Sequence, residues 1–296
     1  MMRGYVVAGI VVGLSLACAC SPTGQANRES TAAGVKVERL AQGPVKNLPA
    51  GKVFVNILEF RQLPGADYGP HAHIPGFVYT LHGTSTISFP HAAALSVGQG
   101  NAVFMPALVV HAHVNPDGRV GAAAIAVGLI LLVILLCAAT WMRGHRRRVV
   151  GAVLSLSLIA GGALPLIGAS ANDFYFIAVR PVAQRSQPRP RPDGRLVYTS
   201  PDVDPVPAGP YVETLSAITV PGGARYEATG TRGPQLIIAL QGNATVLVDG
   251  KTTQVSRGDA AFVQSGSTLA VVNPGGDNLQ VLDFALTSIS AAPAAT

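Results

Sequence analysis

The chain has 296 residues, room for two domains of ordinary size, yet 49% of them are hydrophobic and only 12% are charged, an apolar balance that calls for membrane segments beside folded domains. Its net charge of +6 is concentrated, because residues 143–195 hold nine arginines against Asp173 and Asp193. The remainder is nearly neutral, which excludes a phosphate-tracking, nucleic-acid-binding surface on either domain.

Residues 1–20 open with Met1, Met2 and Arg3 and continue into an apolar run from Val6 to Ala19, the shape of a secretory signal. Leu16, Ala17, Cys18, Ala19 and Cys20, followed by Ser21 and Pro22, resemble a bacterial lipoprotein signal. That resemblance implies lipidation at Cys20, with residues 21–34 as a flexible linker. An uncleaved N-terminal anchor is the alternative, and it exports the next domain equally. Cys137 falls in an apolar run, so no disulfide framework between domains is available.

Residues 35–120 form the first predicted β-domain. Six of the chain's seven histidines lie between His71 and His113. His71 and His73 are two apart, so a strand would project both from one face. His111 sits on a second apolar, β-branched run, with His113 and Asn115 beyond it. Neutral imidazole ligates zinc, iron, copper or nickel, and three such ligands leave coordination positions open. The pattern resembles the paired motifs of the cupin superfamily. Gly65 stands ahead of His71 and His73, while Gly100 and Pro106 stand ahead of His111 and Asn115. The resemblance implies a jelly-roll barrel holding a divalent metal on His71, His73 and His111. Iron, manganese or zinc comes first, with copper or nickel behind. The glutamate ligand that usually completes the first motif is missing, its positions being Gly76, Phe77 and Val78. His113 or water is expected to take its place. His82 and His91 lie outside the motifs and read as surface or loop residues.

Residues 121–142 carry no charge and at 1.5 Å rise would span a hydrocarbon core, a predicted transmembrane helix. Residues 149–171 form a second uncharged run containing Pro165. The loop at 143–148, with Arg143, Arg146, Arg147 and Arg148, is cytoplasmic by the positive-inside rule. The expected location is therefore the cell membrane, multi-pass, with both flanking barrels on the extracytoplasmic face. A cupin barrel normally continues into a closing strand where the first span begins. The reading favours the helix, leaving the first barrel one strand short or borrowing Val35 to Leu40.

Residues 172–210 are rich in proline and read as an extended spacer. Residues 211–287 return to strand patterning, with a disordered tail at 288–296 expected after them. Gly258, Gln264, Leu269 and Asn273 keep the second-motif spacing, with glutamine for proline and leucine for histidine. This second barrel resembles a degenerate cupin, and Gly233 to Val263 is similar to the C-terminal domain of type I mannose-6-phosphate isomerases. No histidine follows His145, so the second barrel holds no metal of this type.

The expected fold class is all-β, two cupin (jelly-roll) barrels joined by a two-helix transmembrane hairpin. The expected function is metal-dependent action on, or binding of, a small organic molecule, of dioxygenase-like or isomerase-like type. The alternative is a non-enzymatic membrane protein that binds or senses a small ligand. Expected partners are a small molecule and the membrane, without nucleic acid. The resemblance also implies a homodimer.

Overall fold

Short apolar runs punctuated by glycine turns favour strands, and strands dominate the described residues of the computed structural model. It describes residues 29–31, 34–48, 51–116, 125–130, 132–134, 170–186, 194–206, 209–228 and 233–289. The first strands are β1 (Glu29–Thr31), β2 (Lys36–Leu48), β3 (Gly51–Gln62), β4 (Gly76–His82) and β5 (Thr84–Phe89). β6 (Ala92–Gly98), β7 (Ala102–Met105) and β8 (Ala112–Val114) follow. After residue 169 come β9 (Asn172–Pro181), β10 (Arg195–Thr199), β11 (Val203–Val206), β12 (Gly209–Val220) and β13 (Arg225–Ala228). The last are β14 (Gln235–Gln241), β15 (Ala244–Val248), β16 (Lys251–Val255), β17 (Ala260–Val263), β18 (Leu269–Val272) and β19 (Leu279–Ser288).

Two barrels repeat one strand order. The larger sheet of the first runs β10-β3-β9-β4-β7, with β11 also on β3, and that of the second runs β2-β12-β19-β14-β17. The smaller sheets are β6-β5-β8 and β16-β15-β18-β13-β1. The barrels exchange a strand. β2 precedes the first barrel but pairs with β12 of the second, whereas β10 precedes the second and pairs with β3 of the first. Val35 to Leu40, considered above as a spare strand for the first barrel, thus leads into and forms part of the edge of the second barrel's sheet.

β9 closes the first barrel. It pairs antiparallel with β3 from Val53↔Pro181 to Gln62↔Asn172 and, on its other edge, with β4. The spacer expected at 172–210 therefore begins with a central strand, and its later residues supply β10 and β11. Residues 117–169 are an insertion within the first barrel, and its ends meet where Asn115 Nδ2 donates to Ser170 O at 3.0 Å. This corrects the expectation of barrels joined by a two-helix transmembrane hairpin, because the apolar segment leaves and re-enters one barrel. No helix among the described residues is long and apolar enough to cross a membrane. Residues 125–130 and 132–134 are helical. The expected multi-pass location in the cell membrane, with both barrels outside, is corrected with the hairpin, since no helix among the described residues is long and apolar enough to support it. The strand missing from the first barrel after β8 is supplied from beyond both hydrophobic runs, by β9, which local hydropathy does not reveal. The signal segment 1–20 with Cys20, the loop 143–148, most of 121–142 and nearly all of 149–171 lie outside the described residues, as does the tail from 290.

Period-two alternation assigns each larger sheet two buried faces. On β3, Val53, Val55 and Ile57 face the seam between the barrels, while Leu58 and Phe60 face the first barrel's interior. On β14, Leu236 and Ile238 face the seam while Ile237 and Ala239 fill the second barrel. Phe77 and Phe284 meet edge to face across the seam, ring centroids 6.0 Å apart. Both are fully buried, as are Ile57, Ile177, Leu215 and Leu236. At roughly 1.5–3 kcal/mol per buried side chain of this size, the seam holds the two barrels as one packed body.

Candidate metal centre

Four histidines converge from two segments. The loop between β3 and β4 runs antiparallel to the chain entering and forming β8, with Gly65 N donating to Asn115 O, Tyr68 N to His113 O, and His71 and His111 exchanging N–H···O bonds at 2.8 and 2.9 Å. His71 is thus a bridge residue and His73 lies in irregular chain beyond it, where Leu108 N donates to His73 O at 3.0 Å. Leu108 adopts φ +62°, a left-handed conformation that costs an L-residue free energy, so the loop is held by its bonds to the site. The matching position of the second motif is Gly266, at φ +83°. Potential ligand atoms of His71, His73, His111 and His113 all lie within 4.8 Å of one another.

The hydrogen bonds select the tautomers. His71 Nδ1 donates to Gly69 O at 2.9 Å, His73 Nδ1 to Ile74 O at 2.6 Å and His111 Nδ1 to Val109 O at 2.8 Å. With the proton on Nδ1, each ring keeps its Nε2 lone pair free, the arrangement by which backbone carbonyls orient metal-bound imidazoles. Nε2 of His73 and of His111 are buried without a partner, and so is Nδ1 of His113. Burial pushes His73 down to about 4 and lowers His111 and, further, His113. Neighbouring imidazoles add to each shift, so these three rings are neutral and ligand-competent near pH 7. The orphaned nitrogens and the all-imidazole donor set fit a divalent metal of the borderline-soft class.

No carboxylate joins the cluster among the described residues. A side chain at Gly76 would meet Ile177 O at 2.5 Å and the Phe176 ring at 2.9 Å. Phe77 points into the seam and Val78 into the apolar interior. None of the three positions has space or surroundings for a charged ligand. Phe176 covers His73, ring centroids 4.3 Å apart, and Phe174 stacks on His113 at 4.9 Å. Beside the cluster a cavity of about 220 Å³ is walled by Leu58, Phe60, Phe174 and Phe176, with Asn56, Tyr68 and Arg180 as its polar groups outside the cluster. Asn56 Oδ1 is buried without a hydrogen-bond partner.

Phe174, Phe176 and Arg180 escaped the sequence reading because they follow the insertion and stand ahead of a proline-rich stretch. The aromatic and β-branched run from Phe174 to Val179 was the available signal. His82 and His91 are exposed and outside the cluster. In the second barrel, Leu269 and Val271 are buried in apolar packing. Asn115 is matched by Asn273. Asn115 Nδ2 donates to Gln62 O at the end of β3, and Asn273 Nδ2 donates to Val220 O at the end of β12.

Residues 217–285 match the family model of the cupin domain. No curated protein matches the sequence. Among solved structures, the chain is similar to AerE of Microcystis aeruginosa at 10% identity and a TM-score of 0.47, over 85% of this chain and 99% of that one. It is similar to a variant of Bacillus subtilis oxalate decarboxylase at 12% identity and 0.46, over 84% and 78%. The protein YhaK of Escherichia coli gives 10% identity and 0.45, over 83% and 93%. The family match falls on the barrel without histidines, and the barrel that carries them repeats its larger sheet strand for strand. The second barrel is therefore a cupin domain, and the repeat of its larger sheet in the first barrel makes the chain bicupin-like, with two barrels of one strand order.

Proposed function

We propose that the first barrel holds one divalent metal ion on Nε2 of His71, His73 and His111, with His113 as a fourth nitrogen, and that a small organic molecule is bound beside it. The observation that carries this reading is the pair of buried, unpartnered Nε2 atoms of His73 and His111 in a cluster whose Nδ1 protons are already committed to carbonyls. Unpartnered buried nitrogens are costly, and a metal would satisfy them together. Iron, manganese or zinc, and after them copper or nickel, suit an all-imidazole set. When bound, such an ion supplies Lewis acidity or redox chemistry to the molecule beside it.

The protein's own contribution is a small, mostly apolar chamber. Phe174 and Phe176 exclude water from the cluster, and Asn56 and Arg180 offer an amide and a cation with which to orient a polar end of the bound molecule. The reading that follows is an oxygenase-like or isomerase-like activity on a small organic molecule. Binding without turnover is the second reading. It is favoured by the lack of a carboxylate in the cluster and by Tyr68, whose hydroxyl donates to Arg61 O and is raised above its ordinary range by burial. The test is elemental mass spectrometry of purified protein beside a His71→Ala/His73→Ala/His111→Ala variant. Near-stoichiometric metal lost in the variant supports the centre; no metal in either after reconstitution overturns it.

A further inference from the structure

A second cavity, which shares Ile74 with the first but is lined by no histidine, lies in the seam between the barrels. It has about 720 Å³, within the range of roughly 300–1,000 Å³ typical of small-molecule sites. β2 of the exchanged edge contributes Val45 and Leu48, the first barrel contributes Phe104 and Val179, and the exposed Pro44, Lys46, Pro106 and Ala107 frame the mouth. One group in this apolar chamber is out of character. Glu213 on β12 is fully buried, and neither carboxyl oxygen has a hydrogen-bond partner among the described residues. Its direction follows from alternation, since Tyr211 and Leu215 on either side both point into the seam. Beside it, Gly43 pairs with Glu213, and the Phe104 ring packs where a side chain at Gly43 would stand, so the ring forms a flat wall next to the carboxyl.

We propose that this seam is a second ligand site, for a small apolar amine whose ammonium pairs with Glu213 and whose hydrocarbon part lies against Val45, Leu48 and Phe104. A buried carboxyl without a partner costs several kcal/mol of desolvation in its charged form, and a cation that arrives with its own apolar body removes that cost where water cannot. Lys46 stands at the rim and makes no ion pair with Glu213, so no described residue supplies the cation. Burial alone pushes Glu213 up to about 8, so near neutral pH the entering ammonium displaces a proton into solvent and leaves a carboxylate paired. The inference is independent of whether the first barrel holds metal.

The experiment is isothermal titration of the full chain with phenethylamine, phenethyl alcohol and phenylacetate, which share a hydrocarbon body and differ in the polar end. The native protein is expected to bind the amine about tenfold or more tighter than the alcohol, as a charge-assisted bond would give, and to reject phenylacetate. Glu213→Gln should keep alcohol binding, which shows that the seam is intact, and bring the amine down to the alcohol's level. Ala107→Trp, which blocks the mouth without touching Glu213, should abolish both. Equal affinity for amine and alcohol in the native protein overturns the proposal, as does an amine preference that survives Glu213→Gln, which would place the amine on the histidine cluster instead. Undiminished binding in Ala107→Trp also overturns it.

Discussion

His71 and His111 face each other as an antiparallel bridge, exchanging both backbone hydrogen bonds, and their rings stand 4.6 Å apart between centroids. The backbone thereby fixes the separation of the two segments that bring the cluster together. His71→Ala and His111→Ala, which leave that bridge in place, are each expected to lower metal affinity at least about 100-fold, more than the loss typical of a partner outside the coordination sphere. Changes at the exposed His82 and His91 should have no effect. Metal per chain by elemental mass spectrometry checks this; equal loss from the His82 or His91 variants would mean that the retained metal sits elsewhere.

The bond from Asn115 to Ser170 closes the base of the insertion, and β9 then runs directly into its place between β3 and β4. Replacing residues 117–169 by a short glycine-serine turn is expected to preserve both barrels, because the chain ends to be joined are already neighbours and loop closure at such a site costs little. Circular dichroism and metal content should match those of the full chain. Loss of the β signal would show that the insertion contributes to the first barrel's core.

Much of this was legible in the sequence, and what was not has a definite physical cause. Spacing alone brought His71, His73, His111 and His113 to attention. The second barrel's main strands were visible as short apolar runs between glycine turns. Connectivity was not visible. Local hydropathy ends the first barrel at residue 120, whereas β9 is specified by pairing with β3, more than a hundred positions earlier in the chain. The exchange of β2 and β10 is hidden for the same reason, since either segment has strand patterning that fits either edge. Glu213 was passed over as one acidic residue in a strand, and only the packing of two sheets shows that its face is covered.

Asn115 and Asn273 occupy the same place in the two barrels and make the same kind of bonds, each to the last residue of a long strand and to a carbonyl two residues ahead of the strand that closes the barrel, Ser170 O at 3.0 Å and Asp277 O at 2.7 Å. One barrel has the histidine cluster and the other has none, so the asparagine serves the fold and not the metal. Asn115→Ala should destabilise the protein by about 1–3 kcal/mol, the cost of leaving buried carbonyls unpaired, while metal stoichiometry stays unchanged. Denaturant titration with parallel metal analysis checks this. Metal loss without destabilisation would reverse the assignment.

Glu213 gives the stability of the protein a pH dependence of definite sign. Burial raises its carboxyl from an ordinary 4.5 to about 8, so between those values the folded state holds a proton that the unfolded state releases. Folding then takes up a proton, and stability contributed at low pH is lost as pH rises from 4.5 through 8, roughly 5 kcal/mol in all by linkage. Glu213→Gln keeps the shape and should flatten that slope; Glu213→Leu should flatten it and also raise stability at pH 8, since an apolar side chain has no carboxylate to desolvate. Urea midpoints across this window, with no amine present, check both. A native slope that the two substitutions leave untouched would assign the titration to other groups. A saturating apolar amine should flatten the native slope as well, because the carboxylate it pairs with no longer needs the proton, and that response ties the stability of the empty seam to the ligand proposed to fill it.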